Sequence, residues 1–311
     1  MSASPPDRAA LVAAAGDTIA RGSQSFAAAS KLFAPHTRDR AWLLYAWCRA
    51  ADDMTDGQEL GHDAQLAHDA ASAQARLEAL TIAALDSDAP VPLPFAALRM
   101  VAHETGMPRA MITDHLAGFA LDAADWRPQS EQDLLRYCYH VAGSVGCMMA
   151  VVMGVDPADR DTLDRACDLG LAFQLANIAR DIVPDAQVGR CYIPKLWLDE
   201  AGLDERTLGA PEHRAALGAI AARLVNLARP YRASARVGAA RLPMRSRLAV
   251  LAADAIYGAI GEKVARRGAR AWDERVRISS VGKLGLGVQA LLRGAIPPPP
   301  ASRAGLWTRP V

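Results

Sequence analysis

The sequence has no strong charge imbalance, no cysteine pattern and no long apolar run, and each shortage removes a class of function. Lys and Arg number 35 against 34 Asp and Glu, a formal net charge of +1. No global field therefore draws the chain to nucleic acid, and none is expected as a partner. Five cysteines, Cys48, Cys138, Cys147, Cys167 and Cys191, are scattered with no C-x-x-C, which reads as free thiols in a reducing cytoplasm. No window reaches about 18 uninterrupted strongly apolar residues. Val141 to Val155 comes closest and is broken by Gly143, Gly146 and Gly154. The N-terminal stretch has an acid before a short alanine-rich run and does not read as a secretory signal. A cytoplasmic protein is expected, with peripheral contact on the inner face of the cytoplasmic membrane. There is no G-x-x-x-x-G-K-[ST], no G-x-S-x-G and no G-x-G-x-x-G, so no nucleotide cofactor or serine nucleophile is expected. Gly282 to Gly287 reads as a helix packing on a neighbour.

What is present is helix-forming. With 311 residues, 51% of them hydrophobic, the chain can bury a sizeable core. Alanine, leucine and arginine abound, and no Asn-Gly or Asp-Gly turn joins strand-like runs. Helices are predicted near 7–21, 37–56, 63–85, 93–105, 108–121, 131–154, 159–185, 212–240, 244–272 and 279–293. The breaks are short and proline-marked, so an all-α, single domain over 1–296 is expected. Residues 297–311 open with four prolines and are expected to be extended or disordered. His36, His62, His68, His103 and His115 are expected at the surface or at caps, and His140 is left undecided.

Two polar stripes interrupt otherwise apolar helices. Asp52 and Asp56 share a face by their spacing of four, with Arg49 three residues before Asp52. An isolated D-x-x-x-D is more often a solvated surface stripe. Here it follows Leu43, Leu44, Tyr45, Trp47 and Cys48, and two carboxylates near a buried segment repel unless a cation sits between them. Asn177, Asp181 and Asp185 repeat the spacing, with Gln174 one turn earlier and Arg180 beside them, inside the apolar run Leu169–Val183. Carboxylates and an amide without a His or Cys cluster suit a hard cation such as Mg²⁺, which keeps waters and bridges to phosphates. Calcium would call for a loop with a central glycine, which both stripes lack. Arg49, Arg180 and Arg190 add the fixed positive charge that clamps phosphate oxygens. Pro184 precedes Asp185 and is expected to kink the last turn.

Four segments carry a resemblance. Gly22-Ser23-Gln24-Ser25-Phe26 with Lys31-Leu32-Phe33 is the first; Tyr45-Ala46-Trp47-Cys48-Arg49 with Asp52, Asp53 and Asp56 is the second. The third is Tyr137-Cys138 with Val141 to Gly146, and the fourth runs from Leu169 through Gln174, Asn177, Arg180-Asp181 and Asp185 to Arg190-Cys191-Tyr192-Ile193-Pro194. Together they resemble the squalene/phytoene synthase family, most closely its bacterial phytoene-forming members, from about Gly22 to Leu292. The resemblance implies an isoprenoid synthase fold, a helical bundle around a central cavity. It implies head-to-head condensation of two geranylgeranyl diphosphates through a cyclopropylcarbinyl diphosphate to phytoene, which opens carotenoid biosynthesis. Mg²⁺, with Mn²⁺ as the alternative, would lie on Asp52, Asp56, Asn177, Asp181 and Asp185. Arg49, Arg180, Ser23 and Tyr257 would contact diphosphate, with Gln174 and Arg190 beside them. Phe26, Tyr45, Tyr137 and Phe173 would face a carbocation, and Gly143 with its small neighbours would open space for a polyprenyl chain, although tight helix packing alone also explains that glycine face. Squalene or dehydrosqualene synthesis from farnesyl diphosphate is the enzymatic alternative, and a catalytically silent assembly factor is the non-enzymatic one. Contact with downstream carotenoid enzymes and with a membrane is also expected, the latter from the insoluble product and the basic set Arg266, Arg267, Arg270, Arg275 and Arg277.

Overall fold

Helices begin and end where the sequence supplies caps. Ser130 opens one through a capping box: its Oγ accepts from the Asp133 amide at 3.2 Å, and the Asp133 carboxylate accepts from the Ser130 amide at 3.0 Å. Asp159 Oδ1 caps another by accepting from the Thr162 amide at 3.1 Å. Gly106 closes a third at φ 63°, left-handed backbone that glycine adopts without a Cβ penalty. The computed structural model describes residues 7–22, 24–56 and 70–310, apart from the side chains of Gln24, Ser25, Ala28 and Asp56. Among the described residues there are helices and turns and no strand.

The chain divides into two compact units, Met1–Ala124 with Met148–Ala158, and Asp125–Cys147 with Asp159–Val311. The first contains α1 (Arg8–Gly22), α2 (Gln24–Ser30), α3 (Pro35–Asp56), α4 (Ala70–Asp86), α5 (Leu93–Thr105) and α6 (Arg109–Ala123). α3 is its centre, with α1, α4, α5 and α6 packed on it. Leu43, Leu44 and Trp47 of α3 are fully buried, as are Leu77, Leu98 and Ile112 of its neighbours, each such side chain contributing about 1.5–3 kcal/mol of burial. His115, expected at the surface, is buried, lying edge-on to Trp47 and Phe119 at 5.5 and 4.9 Å. The helical period of α6 turns it inward beside Ile112 and Leu116.

The second unit holds α7 (Glu131–Cys138), a π turn (Tyr139–Gly143), the start of α8 (Ser144–Val152), α9 (Arg160–Gln187), α10 (Lys195–Ala201), α11 (Arg214–Ala239), α12 (Met244–Arg267) and α13 (Ser280–Gly294). α9 packs on α11, α12 and the π turn. Its N-terminal half meets the π turn and the start of α8 at glycines. A Cβ on Gly170 would collide with the Ala142 carbonyl, one on Gly146 with the Ala166 carbonyl, and one on Gly143 would lie 2.8 Å from Leu171 and 2.9 Å from Cys167. At Gly143 the place of the missing side chain is taken by Leu171 and Cys167 of α9, so close helix packing accounts for this glycine. α2 and α10, each 7 residues long, are too short to show a periodic pattern and were not anticipated.

The C-terminal segment is held by side chains. Among the described residues it has no helix beyond α13, as its prolines require, and it is tied down. Arg303 forks onto Asp168 at 2.8 and 3.0 Å and reaches Asp164 at 3.1 Å, Arg309 pairs with Asp164 at 2.8 Å, and the Trp307 amide donates to the Tyr231 hydroxyl at 3.1 Å. Charge and a ring hold a segment whose backbone cannot hold itself.

Candidate functional site

α3 carries the first acid pair. Its apolar positions bury Trp47 and Ala51, which leaves Tyr45, Arg49 and Asp52 on the remaining surface, all partly exposed. Arg49 does not pair chiefly with Asp52. Its Nε and Nη2 lie 3.0 and 2.8 Å from Asp53 Oδ1, while Asp52 is 3.7 Å away and 44% exposed. The i, i+4 reach to Asp53 gives the shorter bond, so Asp52 is the carboxylate left more open. Asp56 ends α3, and its side chain lies outside the described residues, as does Ser23. Phe26 sits against Tyr45 with ring centroids 5.4 Å apart. Burial first, then Asp52 and Asp53 against the opposing pull of Arg49, pushes the Tyr45 phenol up to about 12. It remains a neutral donor at physiological pH.

α9 carries the second cluster, and here the sequence-predicted residues converge. The Asn177 amide donates to Gln174 Oε1 at 3.4 Å. Arg180 Nε binds both oxygens of Asp181 at 2.9 and 3.1 Å, and Arg275, from the loop after α12, approaches Asp181 at 3.4 Å. In the sequence Arg275 belongs to the basic segment and not to the site; 94 residues separate it from Asp181, a distance no spacing pattern spans. Pro184 lies inside the helix, which continues to Gln187, so the expected kink does not end it before Asp185. Asp185 and Arg190 line a small cleft with Ile178, Ile182, Tyr192 and Leu208. Tyr257 stacks on Phe173 at 4.1 Å and 14°. Burial raises its phenol pKa and Arg180 opposes the shift. Tyr137 is buried in a ring stack, 4.8 Å from Tyr192 and 6.0 Å from Trp126, so its faces are occupied by aromatic neighbours.

Asp185 shows whether a cation fits. Burial, then the neighbouring Asp181, pushes its carboxyl up to about 7, while Arg190, Arg180 and Arg275 pull it back. An acid so displaced gains from a divalent ion placed against it, because the ion offsets both the lost hydration and the like charge. The donors are oxygens, as Mg²⁺ prefers. Among the described residues no three His, Cys, Asp or Glu side chains form a cage.

A pH dependence follows. Unfolded, Asp185 would ionise near the ordinary value of roughly 3.9. Between that and about 7 the folded chain binds more proton than the unfolded one, so metal-free stability falls as pH rises through this window. Thermal melts in EDTA should show that decline, Asp185→Asn should flatten it, and Mg²⁺ should restore stability at the alkaline end. Parallel profiles for wild type and variant would remove Asp185 from the account.

The Squalene/phytoene synthase family model matches residues 19–281, a span that includes both acid clusters. The chain is 48% identical over 308 residues to a 15-cis-phytoene synthase from Paracoccus sp., covering 96% of this chain and 98% of that one. It is 49% identical over 296 residues to a 15-cis-phytoene synthase from Enterobacter agglomerans, covering 93% and 99%. Among solved structures, a dehydrosqualene synthase in complex with a ligand superposes with a TM-score of 0.81 at 26% identity, over 92% of this chain and 96% of that one. A squalene synthase from Alicyclobacillus acidocaldarius gives 0.72 at 21% identity, over 83% and 94%. All-α architecture, acid clusters on α3 and α9 and full-length likeness agree: the fold is that of the isoprenoid synthases, and the chain belongs to the squalene/phytoene synthase family.

Proposed function

We propose that this chain is a prenyltransferase of the 15-cis-phytoene synthase type, joining two geranylgeranyl diphosphates head to head. The observation that carries the reading is identity of 46–49% to four bacterial phytoene synthases over 93–96% of the chain. In the reaction, the C1–O bond of one substrate breaks and diphosphate leaves with the electron pair. The C2=C3 π pair of the other closes onto C1, a proton is lost, and a cyclopropylcarbinyl diphosphate results. Its own C–O bond then breaks, the skeleton rearranges to join the two C1 carbons, and a second proton leaves to give phytoene. No reductant is consumed.

In this reading residues 1–296 act as one catalytic domain. Asp181, Asp185 and Asn177 hold divalent cation on α9, and Asp52 with Asp56 does so on α3. When bound, Mg²⁺ supplies Lewis acidity that stabilises the departing diphosphate. Arg180 and Arg190 orient the diphosphate oxygens, and Arg49 does the same beside Asp52. Fixed charges set in advance cost no reorganisation as the C–O bond breaks, which is why such contributions are often the largest in a site. Phe173 and Tyr257 present stacked rings whose faces favour a cation. The product is insoluble in water, so the chain works at a membrane surface and passes product to downstream enzymes there.

Purified protein incubated with geranylgeranyl or farnesyl diphosphate and Mg²⁺ should yield a C40 hydrocarbon from the former on lipid analysis. A C30 product alone would overturn the assignment in favour of the farnesyl-using branch.

A further inference from the structure

α13 is amphipathic in the wrong sense for a helix whose surroundings are only water. Its inner side packs on α12 through Ala290 and Gly294, against Leu251, Ala252 and Leu248. Its outer side carries Val281, Leu284, Val288, Leu291 and Leu292, which fall within roughly 100° of the helix circumference. All five are exposed, Val281 at 82%, Leu284 at 71% and Leu292 at 66%, and Ile296 beyond the helix end adds 68%. Scattered exposed leucines need no explanation, but a continuous apolar stripe marks a surface that something covers.

Charge around the stripe selects the cover. From Val276 to Ile296, the segment that holds the stripe, the chain carries Arg277, Lys283 and Arg293 and no Asp or Glu. Arg277 precedes the helix and Arg293 stands in its last turn, both exposed, and Arg266 and Arg270 are exposed at the end of α12 and just after it. Two copies meeting stripe to stripe would bring like charges together, whereas an anionic lipid surface satisfies the cations and the apolar side chains at once. No described helix is long and apolar enough to cross a membrane, and α13, at 15 residues, would lie in the interface instead.

We infer that α13 is a membrane-docking helix that inserts Val281, Leu284, Val288, Leu291 and Leu292 into the headgroup–acyl boundary of anionic bilayers. The inference rests on the functional reading only in supposing a lipid product. Its test uses no substrate, so the two can fail separately. The full chain is sedimented with vesicles of about 70% phosphatidylcholine and 30% phosphatidylglycerol, and with pure phosphatidylcholine. Wild type should bind the anionic vesicles, less so in high salt and on the neutral lipid. V281S/L284Q/L292Q should weaken binding at least about tenfold, since each residue withdraws apolar area from the lipid. R277Q/R293Q, which leaves the stripe intact, should weaken anionic binding and flatten its salt dependence. That second variant decides the matter if the first unfolds. Wild type that stays in the supernatant, a stripe variant that is folded and binds as well, or a charge variant with an unchanged salt profile overturns the inference. So does a wild-type dimer that the stripe variant converts to monomer without any vesicle binding. A chain that binds vesicles but forms no C40 product would instead sink the proposed reaction.

Discussion

Asp181→Asn should cut turnover with geranylgeranyl diphosphate by on the order of 10²–10³ while helicity stays unchanged. The magnitude is that typical of removing one charge-stabilising group from an organised site. Asp181 is the hub of the α9 cluster: it takes three bonds from Arg180, an approach from Arg275, and it raises the proton affinity of Asp185. Asparagine keeps the volume and one acceptor oxygen but removes the charge that would draw a divalent ion. It also lowers the pKa of Asp185 by removing its like-charged neighbour, so a melt series against pH should shift with the loss of activity. The check is steady-state turnover at several Mg²⁺ concentrations. Wild-type turnover in the variant would strip Asp181 of its proposed role, and recovery at very high Mg²⁺ would assign the loss to metal affinity alone.

The second large effect lies away from the chemistry. Arg303→Ala should destabilise the fold by about 3–5 kcal/mol, the usual result of leaving a buried charge without its partner. Asp168 is 0% exposed and Arg303 13%. Burial already raises the Asp168 pKa, with Arg303 and Ser234 opposing it. Without the guanidinium the acid must take up a proton or draw in water. Urea denaturation should show the loss, and Arg303→Ala combined with Asp168→Asn should recover part of it, because the uncompensated charge is then gone. If the double variant is as unstable as the sum of the two single changes, the pair is not coupled and the tail is held by something else.

The two cases differ in how far the sequence discloses them. Asp181 is legible because a helix repeats its face every three to four residues, so Asn177, Asp181 and Asp185 announce themselves by spacing. The long helices are legible for the same reason, and the boundaries of α5 and α9 fall where Pro92, Gly106 and Asp159 place them. Arg303 is not legible at all. It pairs with residues 135 and 139 positions away, and nothing in a proline-rich run says which buried acid it will meet. Arg275 escapes for the same reason. Arg49 shows a subtler limit: spacing puts both Asp52 and Asp53 within reach, and only the side-chain geometry chooses Asp53. Gly143 is the converse case, since a missing side chain reads equally as room for a ligand or as room for a helix.

The glycine crossing of the π turn and the start of α8 with α9 bears on engineering. Where Gly146 and Gly170 meet carbonyl groups of the facing segment, the contact is main chain against main chain, and no library of side chains can be installed without driving the segments apart. Attempts to retune the length of isoprenoid accepted should leave these positions untouched and randomise elsewhere. Variants recovered from selection should be wild type at both glycines even when every codon is offered.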